Sequence, residues 1–175
     1  MDLGNTTTAM YIATLDTSQE VIVKFTNRYN EAAHRLLAEE QLAPRLHFCE
    51  RVIGELYMVV MDRVDGKSIW QLRVEGTPVP AIVLKKVQEA VDLLHEKDIV
   101  IGDLRDPNIL YVASKGSDEG CVILVDLDWP AKDEEGRYPA ALNLNNAWSE
   151  DVSPYGIMRK SHDLWQLDWL KAICT

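Results

Sequence analysis

Residues 100–110 read Val-Ile-Gly-Asp-Leu-Arg-Asp-Pro-Asn-Ile-Leu, and residues 122–128 read Val-Ile-Leu-Val-Asp-Leu-Asp. An aspartate, an asparagine five residues later, and an acidic pair closing an apolar run form a layout suited to phosphoryl transfer. Asp103 can orient or deprotonate a hydroxyl, while Asn108 and Asp126 offer oxygens to Mg²⁺ carried by a nucleotide. Taken alone, each loop also fits a plain turn in which Asp and Asn satisfy their own backbone. Against that, Asp126 and Asp128 close a buried strand one residue apart, which is costly unless a cation or donors balance them.

Working outward, Pro80 opens a long helix running to Lys97, with Val83, Val87, Val91 and Leu94 at helical spacing. Before it, Asp62-Arg-Val-Asp-Gly66 interrupts an apolar run and reads as a connection between two parts, and Lys67 to Arg73 reads as solvated. Further upstream, Met10 to Leu15 and Val21 to Phe25 are predicted strands joined by turn residues, with Lys24 inside the second. Asn30 caps a helix that starts at Glu31 and carries Ala32, Ala33, Leu36 and Leu37 as its apolar stripe. Leu46 to Arg51 and Glu55 to Met61 form another strand pair around Gly54.

Downstream, Ser114 to Gly120 is a turn, residues 130–156 are irregular, and His162 to Ile173 is an amphipathic helix. That helix is expected to bury Leu164, Trp165 and Leu167, with Asp163 as its cap. Strands come first with one inserted helix, then a mostly helical part, an order that fits α+β better than an alternating parallel sheet. The boundary falls between residues 1–64 and 65–175.

Composition bounds the partners. The chain has 175 residues, enough for one compact domain or two small lobes, and a net charge of −10. That charge argues against nucleic acid or an anionic membrane as the main partner, though local lysine and Mg²⁺ can outweigh it around ATP. Cys49, Cys121 and Cys174 make neither a zinc spacing nor a disulfide framework, which predicts a reducing, cytoplasmic location. The polar N-terminus lacks the features of a signal peptide, and no apolar run reaches membrane-spanning length.

The motifs together resemble the protein-kinase-like superfamily, particularly its aminoglycoside phosphotransferase and choline kinase branch and fungal kinase-like proteins. The catalytic loop of that branch reads His-Gly-Asp-Leu-x-x-x-Asn, against Ile101-Gly-Asp-Leu-Arg-Asp-Pro-Asn108 here, and its metal loop corresponds to Asp126-Leu-Asp128. Val-Ile-Val-Lys24 matches the strand carrying the phosphate-contacting lysine, and Glu31 falls where its helical partner belongs.

The resemblance implies a minimal two-lobed fold: a small antiparallel N-lobe sheet with one helix, and a reduced, mostly helical C-lobe. It implies ATP and Mg²⁺ as cofactors. Asp103 becomes the catalytic base, Lys24 the phosphate contact paired with Glu31, and Asn108 and Asp126 the metal ligands, with Asp128 in the place of the usual glycine. Met61 to Val64, including Arg63, would be the hinge offering backbone groups to adenine.

Two departures temper this. Only Gly4 precedes the first strand where a Gly-rich phosphate loop is expected, and Ile101 stands at the loop histidine. They motivate an alternative reading, an inactive kinase-like binding or scaffold module. Surface left uncovered by a shortened fold is expected to draw a partner protein or a second copy of the chain. Ile123-Leu-Val-Asp126-Leu-Asp128 also matches superficially the first motif of haloacid-dehalogenase-type phosphatases, a reading opposed by Trp129-Pro130 and by the motif's late position.

Overall fold

A computed structural model describes residues 8–52, 54–114 and 120–174. The expected N-terminal features of residues 1–7 and most of the turn at 114–120 lie outside the described residues. The chain folds as α+β: among the described residues a four-stranded antiparallel sheet with one inserted helix comes first, and three helices interspersed with five short strands follow.

Strands β1 (Thr8–Thr14), β2 (Glu20–Thr26), β3 (Leu46–Arg51) and β4 (Tyr57–Asp62) form an antiparallel sheet in the order β1-β2-β4-β3. Lys24 sits opposite Met10 on one side and Val59 on the other, so its backbone is fixed from both flanks. Helix α1 (Glu31–Glu39) follows β2, and the Asn30 side chain accepts from Ala33 N at 3.0 Å, as its N-cap position requires. Its buried face is Ala33, His34 and Leu37, whereas Ala32 is exposed, a correction to the apolar stripe. His34 is tolerated inside because both ring nitrogens have partners, the Tyr29 hydroxyl and the Pro44 carbonyl.

Beyond the sheet, strand β5 (Lys67–Ser68) leads into a short helix α2 (Ile69–Val74) that corrects the solvated reading of residues 67–73. Ser68 and Gln71 form a reciprocal capping box, and Ile69 and Leu72 are buried. Helix α3 (Ile82–His95) buries Val83, Val87, Ala90, Val91 and Leu94 completely, the stripe its spacing predicts. Strand β6 (Ile99–Val100), a single 3₁₀ turn (Asp106–Asn108), and strands β7 (Ile109–Val112) and β8 (Cys121–Leu124) follow. β5, β7 and β8 make a second antiparallel sheet, and β6 pairs with β9 (Ala131–Lys132). Helix α4 spans Lys160–Lys171.

One apolar core joins α1 and β4 to α3, β7, β8 and α4, and each fully buried Leu or Val in it contributes roughly 1.5–3 kcal/mol. A smaller cluster gathers Val100, Tyr138 and Met158 with Trp129 and Trp148. The amide of Leu124 donates to Leu42 O at 2.7 Å, which fastens β8 to the chain leaving α1. The amide of Asn30, shortly after the lysine strand, donates to Leu127 O at 3.4 Å, which brings the acidic loop beyond β8 to that strand's end. No helix among the described residues is long and apolar enough to cross a membrane.

Candidate active site

The loop that follows β6 is held from beneath by α4. Asp163, fully buried, accepts from Ile101 N and Gly102 N at 2.8 Å each, and from His95 Nε2 at 2.8 Å. Gln166, one turn on, accepts from Leu104 N at 3.1 Å. Asp163 is therefore the clamp of the loop rather than a helix cap, and His95 is one of its partners. The face of α4 turned to the loop is polar, which explains why Leu164 and Trp165 are partly exposed while Leu167 and Leu170 are buried. Gly102 adopts a left-handed φ of +79°, a conformation costly for any residue with a Cβ.

On this platform Asp103 is only 6% exposed. Arg105 grips its carboxylate with two donors, Nε and Nη2, the second at 2.8 Å. Burial pushes the Asp103 carboxyl above the ordinary carboxylate range, and the Arg105 guanidinium opposes that rise. Arg105 in turn lies over the Trp148 ring, 5.6 Å from its centroid. Asn108 donates through Nδ2 to Asp103 O at 3.1 Å, which keeps its Oδ1 as the acceptor end of the amide. The Asn108 carbonyl accepts from Val125 N at 2.9 Å, binding the two motif loops to each other.

Lys24 reaches into the acidic pair. Its side chain is 2% exposed, and Nζ contacts Asp126 Oδ1 and, at 2.6 Å, Asp128 Oδ1. The sequence argument that two neighbouring acids need a cation is answered here by Lys24. Asp128 is held further by the Thr26 hydroxyl, which donates to Oδ2 at 3.1 Å. Burial raises the Asp128 carboxyl above its ordinary range, with Lys24 pulling the other way. Asp126 differs: its side chain is 47% exposed although one oxygen meets Lys24, and its backbone takes a left-handed φ of +62°.

Glu31 does not pair with Lys24. It bonds Arg35 one turn along the same helix, Oε1 to Nη2 at 2.7 Å, and stays solvated. The physical reason is helical phase, because the inward face of α1 is occupied by Ala33, His34 and Leu37. The hinge also departs from expectation. The amides of Asp62 and Arg63 are already spent on Arg45 O at 3.0 Å and Glu20 O at 3.3 Å, and the Arg63 side chain pairs with Glu20 at 2.7 Å. Met61 and Arg63 still line the cleft, but neither the Asp62 nor the Arg63 amide is available to adenine.

Two cavities meet at Asp126. One, of about 410 Å³, is walled by Ile22, Lys24, Met61, Asn108 and Leu110. The other, of about 470 Å³, holds Asp103, Arg105, Asp128, Arg28 and Trp129. Asp126 stands in the wall of both. Among the described residues no cluster of three or more His, Cys, Asp or Glu side chains forms a ready metal cage.

No family model matches this chain, and no curated protein matches it. Its fold is similar to that of a solved structure, the Cydia pomonella granulovirus kinase PK-1, with a TM-score of 0.68 at 15% identity over 98% of this chain and 68% of that one. The fold is protein-kinase-like.

Within this kinase-like fold the strand, helix and loop order expected from the sequence is present. The antiparallel pairing of β7 and β8 does not suit the parallel domain that a dehalogenase-type motif begins. Sequence reasoning gave no role to Arg105 or Gln166 and read Asp163 only as a helix cap. Arg105 was legible as a basic residue inside the loop from Asp103 to Asn108, whereas the tertiary role of Asp163 and Gln166 gave no local signal, since their partners lie about sixty residues away in sequence.

Proposed function

We propose that the cleft is the site of an ATP- and Mg²⁺-dependent phosphotransferase acting on a hydroxyl acceptor. The observation that carries this reading is the placement of Lys24, Asn108 and Asp126 around one cavity and Asp103 in a second, with Asp126 common to both. A nucleotide in the first would present its terminal phosphate at Asp126, and an acceptor in the second would present its hydroxyl at Asp103. Residues 1–64 and 65–175 then act as the two lobes, with Met61 and Arg63 at the nucleotide's base end.

The donor set fits magnesium. Mg²⁺ keeps several waters and takes one or two protein oxygens together with substrate phosphates, so the absence of a full cage among the described residues is in keeping with it. Asn108 Oδ1 and the half-exposed Asp126 carboxylate would hold it, and when bound it neutralises charge on the phosphates. Asp128 is better assigned as the anchor of Lys24 than as a third ligand, because it is buried and already engaged with Nζ and the Thr26 hydroxyl. Asp126 can leave Lys24 for the metal while Asp128 keeps the ammonium in place to meet a phosphate oxygen. Asp103, held by Arg105, orients the acceptor hydroxyl and accepts its proton. The acceptor is a hydroxyl carried by a protein or by a small molecule.

Turnover of ATP with Mg²⁺, with water or a panel of alcohols as acceptor, tests the reading. Asp103→Asn is expected to lower it by about 10²- to 10⁴-fold while leaving nucleotide affinity within a few-fold. A second reading, a kinase-like binding module without turnover, is favoured by Ile101 at the loop histidine and by Lys24 bound to both carboxylates. Nucleotide binding with no turnover above the Asp103→Asn level would select it.

A further inference from the structure

Strand β1 borders the cleft and also carries a symmetry in its sequence. It reads Thr8-Ala9-Met10-Tyr11-Ile12-Ala13-Thr14, which is the same in both directions about Tyr11 except that Met10 and Ile12 change places. One edge of β1 pairs with β2 through seven unbroken register positions, and no described strand pairs with the other. Met10, Tyr11 and Ile12 are 66%, 59% and 59% exposed. Edge strands are ordinarily protected by a charge, a proline or a bulge, and β1 has none of these.

We infer that the outer edge of β1 pairs with the same edge of a second copy of this chain, antiparallel about a twofold axis at Tyr11. Such an axis makes every residue face its mirror position, so Thr8 meets Thr14, Ala9 meets Ala13, Met10 meets Ile12, and Tyr11 meets Tyr11. Each pair is matched in size and polarity, which is the condition for a self-complementary strand pair. The edge-to-face contact of Tyr11 with Phe25, centroids 6.3 Å apart, continues across the axis into the partner's ring pair.

Charge selects a second copy at this edge. A chain with a net charge of −10 repels itself over most of its surface, and a twofold contact sets like against like. An uncharged strand avoids that penalty. Area sets the strength. Two seven-residue strands fall short of the roughly 1,600 Å² typical of stable complexes, so the pairing is a concentration-dependent equilibrium. Met10, Tyr11 and Ile12 also line the nucleotide-side cavity, so the partner strand would extend its wall. The association does not depend on the cleft's chemistry and is tested without nucleotide.

Sedimentation velocity on the full chain, from low micromolar to near-millimolar concentration, should show a monomer converting to a dimer. Tyr11→Lys and Tyr11→Glu each put two like charges face to face on the axis, and each should sediment as a monomer throughout. An equimolar mixture of the two should regain the dimer, because opposite charges then meet. As a measurement independent of these charges, Tyr11→Cys in a chain carrying Cys121→Ser and Cys174→Ser should form a linked dimer on mild oxidation, since directly opposed strand residues lie within disulfide reach. A wild-type chain that stays monomeric over the whole series, single variants that dimerise like wild type, a mixture that stays monomeric, or failure of Tyr11→Cys to cross-link would each overturn the pairing.

Discussion

Lys24 and Asp128 form a buried ion pair, Nζ to Oδ1 at 2.6 Å, that fixes the lysine strand of the four-stranded sheet to the loop after β8. Asp126 touches the same ammonium from the solvent side. The two carboxylates are therefore unequal, one holding the lysine in place and the other able to turn to a cation.

This inequality has a stability signature. Asp128→Ala removes the more buried partner and the acceptor of Thr26, and it should lower unfolding free energy by about 3 kcal/mol. Asp126→Ala leaves Lys24 paired and should cost less than about 1 kcal/mol, as for a half-exposed ion pair. Urea titrations of both variants compare the two. Equal losses would mean that the carboxylates are equivalent.

Asp163 should be the most sensitive position near the loop that follows β6. Its replacement by Ala leaves Ile101 N and Gly102 N unsatisfied inside the core and removes the partner of His95. A loss of about 3–5 kcal/mol is expected, with Asp163→Asn intermediate because one amide oxygen still accepts. Chemical denaturation measures it, and a loss under about 1 kcal/mol would contradict the clamp.

His34 predicts a pH dependence. Its Nε2–H donates to Pro44 O at 2.7 Å, so its Nδ1 accepts from the Tyr29 hydroxyl and the neutral ring is fully satisfied. Burial holds its pKa below the ordinary 6.5 in the folded chain. The unfolded chain therefore takes up the proton first as pH falls. This contribution is fully present above about pH 6.5 and is lost as pH drops toward the folded pKa, with a slope of up to about 1.4 kcal/mol per unit. Unfolding curves at about pH 7.5 and about pH 5 should show a loss that His34→Gln lacks. An equal loss in the variant would assign it elsewhere.

Asp103 and Arg105 can be separated by titration. Carbon NMR of the Asp103 carboxyl should place its midpoint above the ordinary 3.8, because burial outweighs the guanidinium. Arg105→Met removes the opposing charge and should move the midpoint higher still. A midpoint that falls in Arg105→Met would mean that the guanidinium does not support the charged form.

Most of the scaffold was legible because its physics is local. Alternating apolar residues marked β1 to β4, Asn30 marked the start of α1, and the stripe Val83, Val87, Val91 and Leu94 marked α3. α2 was missed although Ser68 and Gln71 are spaced as a capping box, because six residues among charges give little periodicity. The buried faces of α1 and α4 were misjudged at His34, Asp163 and Gln166 for one reason. Hydropathy counts these side chains as outward-facing, and only tertiary partners make them inward. The site divides the same way. Lys24, Asn108 and Asp126 line one cavity and Asp103 a second that shares Asp126, while the choice of partner for Lys24 depended on the phase of α1 and fell to Asp126 and Asp128 instead of Glu31.

The central claim, a nucleotide site that needs Mg²⁺ and Asp126, is tested most directly by thermal unfolding of the full chain titrated with ATP, with and without Mg²⁺. Saturating Mg-ATP at about a hundred times its dissociation constant should stabilise the wild type by about 2.7 kcal/mol. ATP without Mg²⁺, or Mg-ATP with Asp126→Ala, should give a clearly smaller shift. No Mg²⁺-dependent shift in the wild type, or an undiminished one in Asp126→Ala, would contradict it.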